Sequence, residues 1–77
     1  MILHCELTDT MQGEANYSWV ERHSVNVSKD ATNLQIIRKA KQLLGLTGVK
    51  CRKEDYGDSI TLKPYGMCMV AFISIEY

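Results

Sequence analysis

The feature that most constrains the fold of this sequence is a mismatch between its one helix and its last strand. The helix is predicted over residues 31–44, where apolar residues recur at three- and four-residue spacing. The strand is predicted over residues 67–75, where alternate residues on both faces are apolar. Because one helix covers only one face of a sheet, we expect a partner to cover the other apolar face.

The length and composition predict one small globular domain, residues 1–77. Hydrophobic residues make up 45% of the chain and charged residues 23%, a balance typical of folded rather than disordered proteins. A single core of this size supplies little net stability, and association with another chain often supplements it. We therefore expect association to contribute to the stability of the folded state.

The charge and hydropathy of the chain argue against a membrane location. The formal net charge is zero, so no overall field attracts a membrane surface or nucleic acid. No apolar run approaches the roughly 20 residues that a membrane-spanning helix needs. Because Glu6 and Asp9 interrupt the short apolar start and no basic flank precedes it, we expect no signal peptide and a cytoplasmic protein.

The cysteines and histidines form no pattern typical of a disulfide framework, a metal site or a catalytic site. Cys5, Cys51 and Cys68 are odd in number and lack CxxC spacing, so we expect reduced, mostly buried thiols. His4 and His23 make a pair rather than the four ligands of a structural zinc site. No oxyanion-hole glycine motif accompanies a Cys/His pair. We therefore predict a non-enzymatic protein without metal or cofactor.

The first half of the sequence predicts a hairpin of two strands. Apolar and polar residues alternate over residues 2–7, and a polar connection follows at 8–14. Aromatic and β-branched residues are frequent over residues 15–27, which indicates a second strand. Its alternation is imperfect, and a bulge or bend near residues 20–22 would restore it.

The second half predicts two more strands after the helix. A third strand begins at residues 49–52, is interrupted by the charged segment 53–58 and resumes at 59–63. A Pro-Tyr-Gly turn at 64–66 leads into the fourth strand, 67–75. The expected fold is α+β, a two-layer β-β-α-β-β domain. Its four-stranded antiparallel or mixed sheet carries one helix on one face, with the fourth strand inside the sheet.

The helix has clear start and stop signals. Asp30, or Thr32 with Gln35 as the returning partner of a capping box, can cap its first free N–H groups. Gly45 ends it as a left-handed cap, and Leu46 can fold back on the last turn. Its apolar stripe consists of Ile36, Ile37, Ala40, Leu43 and Leu44.

The face of the sheet opposite the helix is the predicted partner surface. Met69, Ala71, Ile73 and Ile75 share one face of the last strand, and Cys68, Val70 and Phe72 share the other. With Tyr17 or Trp19 the bare set would form an apolar patch of about a few hundred Å². At about 25 cal/mol per Å², its burial would contribute several kcal/mol. The alternative is that sheet twist and the N-terminal hairpin cover this face within one chain.

Basic residues are concentrated around the end of the helix, which leaves a nucleic-acid-binding role open. Six of the nine basic residues lie within residues 38–53, where no acidic residue occurs. Such a strip can contact phosphates or an acidic protein surface, although the zero net charge argues against nucleic acid. The six residues are Arg38, Lys39, Lys41, Lys50, Arg52 and Lys53.

Three stretches of the sequence resemble short proteins encoded by bacteriophages and prophages. They are GEANYSWVER at residues 13–22, RKAKQLLGLTGVKCR at 38–52 and DYGDSITLKPYG at 55–66, about half of the chain together. The resemblance implies an accessory protein of phage origin that acts on host machinery in the bacterial cytoplasm. Several phage-encoded inhibitors of host defence, including anti-CRISPR proteins, are similarly small and act by occupying a host protein surface.

These observations favour a protein-binding function over an enzymatic one. We expect a non-enzymatic phage accessory protein that forms a homodimer or binds a host protein through the uncovered sheet face. Anchoring contacts are expected from Trp19, Val70 and Phe72, with Tyr17 as a further partner-binding residue. Specificity is expected from Arg52, Lys53, Tyr56 and Asp58 on or near the second hairpin. The alternative is a nucleic-acid-binding module that uses the basic strip.

Overall fold

The computed structural model describes residues 1–77 as one antiparallel sheet of five strands with one helix across one face. The strands occur in the spatial order β2-β1-β5-β4-β3. This confirms the α+β class and the single helix, but the sheet has five strands rather than four. The elements are β1 (Ile2–Met11), β2 (Glu14–Asn26), α1 (Asn33–Leu43), β3 (Cys51–Asp55), β4 (Ser59–Pro64) and β5 (Met69–Glu76).

The additional strand arises from the segment predicted to interrupt the third strand. Residues 53–58 complete β3 and then reverse the chain, so that β3 and β4 form an antiparallel hairpin. Gly57 adopts φ 90°, a conformation that favours glycine. The Asp55 carboxylate accepts a hydrogen bond from Gly57 N at 2.9 Å, and Tyr56 N donates to Ser59 O at 2.8 Å. The glycine and the aspartate therefore make a turn.

The β1–β2 hairpin is longer than predicted and carries its bulge at a different place. Gln12 and Gly13 both have positive φ and form a two-residue turn, the connection that fits the twist of a hairpin. The expected bulge near residues 20–22 is wrong, since that segment pairs regularly with β1. Instead, four residues of β2, 16–19, lie opposite the single Asp9 of β1.

The core lies between α1 and one face of the sheet. Thr32 and Gln35 form the capping box, so Thr32 rather than Asp30 is the N-cap. Gly45 follows the helix with φ 71°, and Leu46 is buried, as predicted. The helix has 11 residues, and no helix in the structure is long and apolar enough to span a bilayer. The buried cluster comprises Leu3, Cys5, Leu7, Ile36, Ala40, Leu44, Leu46, Ile60, Leu62, Ala71 and Ile73.

The last strand occupies the interior of the sheet, as its composition predicts. β5 pairs with β1 on one side and with β4 on the other. Ala71 and Ile73 lie in the core under the helix, and Met69 and Ile75 pack against that cluster. The face assignment of this strand is therefore confirmed, and Val70 and Phe72 belong to the opposite face.

The core assignment predicts different effects for two leucines. Leu3→Ala should lower the free energy of unfolding by about 2–5 kcal/mol, because Leu3 is fully buried in the core cluster. Leu34→Ala is the matched control: Leu34 is 64% exposed, so we expect a change within about 0.5 kcal/mol. Urea unfolding followed by circular dichroism measures both values. Equal losses in the two variants would contradict the assignment.

Candidate functional site

The face of the sheet opposite α1, here called the open face, is mainly polar. One transverse row crosses all five strands through residues that are direct cross-strand neighbours. Phe72 lies at the middle of this row and is its one aromatic side chain. From β2 to β3 the row consists of Arg22, Glu6, Phe72, Thr61 and Glu54.

The expectation of a bare apolar patch on this face is wrong. Val70 is only 3% exposed in the single chain, and Phe72 is partly buried, while Cys68 is exposed. The tip of the β1–β2 hairpin, residues 13–15, lines a depression of about 260 Å³ together with Val70 and Phe72. Thr10 N donates to Cys68 O at 3.0 Å, which continues the pairing beyond β5. Val70 is thus buried beside the hairpin tip within the single chain, without a partner.

A cluster of three side chains lies on the β2 side of Phe72. The Tyr17 hydroxyl donates to Glu6 Oε1 at 2.7 Å, and Arg22 Nε donates to Glu6 Oε2 at 2.9 Å. The hydrogen bond from Tyr17 and the charge and hydrogen bond of Arg22 lower the pKa of Glu6. The same carboxylate raises the pKa of Tyr17. The tyrosine is thereby held in one position at the rim of the open face.

A second cluster with the same arrangement lies on the β3 side of Phe72. The Tyr56 hydroxyl donates to Glu54 Oε2 at 2.6 Å, and Lys63 Nζ lies 3.1 Å from Glu54 Oε1. These contacts lower the pKa of Glu54, with the hydrogen bond from Tyr56 as the largest cause, and Glu54 raises the pKa of Tyr56. Phe72 is therefore flanked on both sides by a tyrosine, a glutamate and a cation.

The position of Tyr17 depends on the bulge in β2. Tyr17 has φ 55°, which is uncommon for a residue other than glycine and costs free energy. The hydroxyl of fully buried Thr8 accepts a hydrogen bond from Tyr17 N at 3.1 Å and donates one to Trp19 O at 2.9 Å. These bonds satisfy two backbone groups that the bulge removes from the β1–β2 ladder.

Asp9 stabilises the same bulge through its carboxylate. Asp9 Oδ2 accepts from Ser18 Oγ at 2.6 Å and from Asn16 Nδ2 at 3.0 Å, and Oδ1 accepts from Ser18 N at 2.9 Å. The hydrogen bond from the Ser18 hydroxyl is the largest cause that lowers the pKa of Asp9 to about 2. Sequence reasoning missed Asp9 and Glu6 because Asn16, Ser18, Tyr17 and Arg22 lie 7 to 16 residues from them along the chain. It also missed Glu54, although Tyr56 is only two residues away, because a glutamate and a tyrosine at that spacing form no known motif.

Three further polar side chains meet on the open face beside the Glu6 cluster. His4 Nδ1 lies 2.8 Å from Ser24 Oγ, and His4 Nε2 lies 3.5 Å from Glu76 Oε2. The residue types are those of a nucleophilic triad, yet the His4 and Glu76 side chains are 46% and 53% exposed. Contact with solvent weakens the electrostatic interactions on which a catalytic triad depends. Ordinary pairing between side chains of neighbouring strands accounts for these contacts. His4 and Ser24 line a shallow depression of about 380 Å³ together with Phe72.

The histidines do not meet across the hairpin. His23 lies on the helix side of β2, where Nε2 is 2.8 Å from Glu21 Oε1, whereas His4 lies on the open face. The structure contains no group of three or more His, Cys, Asp or Glu side chains placed to hold a metal ion. Of the three cysteines, Cys5 is buried, Cys51 is partly buried and Cys68 is exposed.

The basic strip is divided between surfaces. Arg52 is the neighbour of Lys63 and lies on the open face, while Lys53 is the neighbour of core residue Leu62 and lies on the helix side. Lys41 Nζ donates to Val49 O at 2.7 Å, which ties it to the loop after α1. Arg38 and Lys50 are exposed, and Lys39 is partly buried.

The remaining predicted contact residues lie near the rims. Trp19 is 41% exposed within the bulged segment of β2, and Tyr56 is 61% exposed. Asp58 is exposed in the β3–β4 turn. The structure therefore brings Tyr17, Tyr56 and Phe72 to one face.

Comparison with protein-family models, curated proteins and solved structures gave no match to this chain. The geometry of the open face offers a preformed polar and aromatic surface with two shallow depressions, which suits contact with a protein surface better than enclosure of a small molecule.

The hydrogen bonds to the Asp9 carboxylate predict that part of the free energy of unfolding is lost at low pH. Because the folded pKa of about 2 lies below the ordinary value of 3.8, the ionised form is stabilised in the folded state. This contribution is present above about pH 4 and should be lost as the pH falls towards 2. Asp9→Asn should abolish this pH-dependent contribution to stability. In thermal unfolding curves recorded at decreasing pH, the Tm of Asp9→Asn should therefore fall less than the Tm of the wild type.

The control for this experiment is Asp58→Asn. The Asp58 carboxylate takes part in none of the side-chain hydrogen bonds of the structure, so this variant should keep the wild-type response to acid. If Asp9→Asn and Asp58→Asn respond alike, the role given to the Asp9 carboxylate is wrong.

Proposed function

We propose that this protein is a non-enzymatic accessory protein of phage or prophage origin that binds a host protein through its open face. The observation that carries the proposal is the row in which Phe72 lies between two tyrosine-containing clusters. Protein interfaces commonly place an aromatic side chain at the centre and polar groups around it. The open face has this composition.

The two clusters reduce the loss of side-chain conformational entropy on binding. Tyr17 and Tyr56 are exposed, yet each hydroxyl is already hydrogen-bonded to a glutamate in the free protein. A tyrosine that is ordered before binding loses less conformational entropy on association. The affinity of the open face would then come from Phe72 and the two tyrosine rings, while the glutamates and cations select the partner by charge.

The class of partner follows from the resemblance to short phage proteins. Such proteins act on the bacterial host, and a component of host defence, such as a CRISPR effector, is the partner that we propose. The depressions on either side of Phe72 are shallow and suit protruding side chains of a partner surface.

The proposal predicts that a charge at the centre of the open face prevents binding. Phe72→Glu should weaken the affinity for the host partner about 30-fold or more, the effect of losing about 2 kcal/mol at a hot spot. Leu34→Glu is the matched control, because it places the same charge on the exposed surface of α1. Both variants and the wild type serve as bait in host lysate, and titration calorimetry with the purified captured protein gives the affinities.

Two outcomes would contradict the proposal. One is a partner that binds wild type and Phe72→Glu equally but loses affinity for Leu34→Glu. The other is binding to DNA or RNA at low salt, measured by fluorescence polarisation, with a salt dependence that falls as Arg38 or Lys50 is replaced. The second result would favour the basic residues over the open face. Circular dichroism verifies that each variant remains folded.

A further inference from the structure

One edge of the sheet presents unpaired backbone groups along a regular strand. Val27 N donates to Met1 O at 2.9 Å, and the Met1 amino group donates to Val27 O at 3.1 Å, so this is a hydrogen-bonded pair. Bonded and non-bonded pairs alternate in an antiparallel ladder. The odd-numbered residues of β2 from 21 to 25 therefore bond to β1. The even-numbered residues direct their N–H and C=O groups outward, and they are Val20, Arg22, Ser24 and Asn26.

The opposite edge, formed by β3, is shorter and better protected. Tyr56 N donates to Ser59 O, so the same alternation leaves the odd-numbered residues of β3 directed outward. Two of these, Lys53 and Asp55, are charged, and charges on an edge strand oppose pairing. The Asp55 carboxylate also accepts from Asn33 Nδ2 at 3.0 Å, which places the start of α1 beside this edge.

We propose that β2 pairs in antiparallel fashion with β2 of a second copy of this chain, about a twofold axis at His23. Val20 would face Asn26 of the second copy, and Arg22 would face Ser24 of the second copy. All four outward residues of each copy would then be hydrogen-bonded, and the two sheets would become one sheet of ten strands. This interface is made by the backbone of the β2 edge, although the Arg22 and Ser24 side chains lie on the open face. It does not depend on the function proposed above.

The charge of Arg22 and the length of the regular β2 segment together favour this register. A shift of two residues in one direction would place Arg22 directly opposite Arg22 of the second copy, and opposed like charges destabilise a strand pair. The shift in the other direction would leave Val20 unpaired. In the proposed register Glu21, which already contacts His23 of its own chain through Oε1, also lies diagonal to His23 of the second copy and places its negative charge near both imidazoles.

The difference between the edges explains why association would stop at two copies. Pairing of β2 with β2 uses the same surface on both chains and closes on itself, whereas pairing of β2 with β3 would continue as a filament. The charged β3 edge opposes the second mode. Because the twofold axis is perpendicular to the sheet, both open faces lie on one side and both helices on the other. The dimer would therefore offer two binding surfaces side by side.

The test uses proline substitutions that remove one outward N–H group without removing a hydrogen bond of the single chain. Ser24→Pro removes such a group from the β2 edge, where proline is tolerated because its nitrogen faces solvent. Lys53→Pro makes the matched change on the β3 edge. Ser24→Ala controls for loss of the side-chain contact with His4. We expect a dimer for the wild type, Lys53→Pro and Ser24→Ala in sedimentation velocity, and a monomer for Ser24→Pro.

Cysteine cross-linking tests the register. In a background with Cys51→Ser and Cys68→Ser, His23→Cys should form an intermolecular disulfide on oxidation, because non-bonded cross-strand pairs lie close enough. Arg22→Cys and Ser24→Cys should cross-link far less, since neither residue faces itself. The proposal is overturned if the wild type stays monomeric up to millimolar concentration, if Ser24→Pro dimerises like the wild type, or if Ser24→Cys cross-links best. A monomeric wild type that still binds its host partner through Phe72 would overturn this inference alone.

Discussion

The antiparallel pairing of β1 with β5 at the centre of the sheet determines what both faces of this protein can do. The register places Cys5 opposite Ile73 and Leu7 opposite Ala71, so these four side chains enter the core together. A shift of one residue would bury Glu6 or His4 instead, at a cost of several kcal/mol for each unpaired polar group. The same register fixes Glu6 beside Phe72 on the open face. Core and candidate site are therefore two consequences of one strand pairing.

The core of this protein is small, and the open face is mainly polar. Only 14 of the 77 residues are buried, so the single chain has little apolar surface to spare for a second core. Exposed ion pairs contribute little to stability, and we assign the two glutamate clusters to positioning instead. Each glutamate accepts a hydrogen bond from a tyrosine hydroxyl on one carboxylate oxygen and contacts a cationic side chain with the other. The open face therefore remains mainly polar in the free protein and still presents ordered aromatic rings.

The sequence predicted those parts of the fold that depend on neighbours along the chain. The capping box of Thr32 and Gln35, the left-handed Gly45 and the alternation on β5 are local signals, and each was confirmed. The hairpin at residues 53–58 was missed because charge and glycine mark an interruption and a reversal equally well. The burial of Val70 within the single chain was predicted only as the alternative, because the hairpin tip that lies beside it is distant in the sequence. The Glu6 cluster was missed because Tyr17 and Arg22 lie 11 and 16 residues from Glu6 along the chain.

The bulge connects the fold to the candidate site. A regular β2 would place residues 16–19 in the ladder, and the backbone of Tyr17 would adopt an ordinary extended conformation. Asp9 and Thr8 instead hold four residues of β2 opposite one residue of β1, which bends the strand and sets Tyr17 at φ 55° against Glu6. Unfavourable backbone conformations persist where surrounding contacts determine them, and they are concentrated at functional positions. The bulge also leaves residues 20–26 as the regular part of the β2 edge. One local irregularity thus places Tyr17 on the open face and leaves a regular edge segment beside it for pairing with another strand.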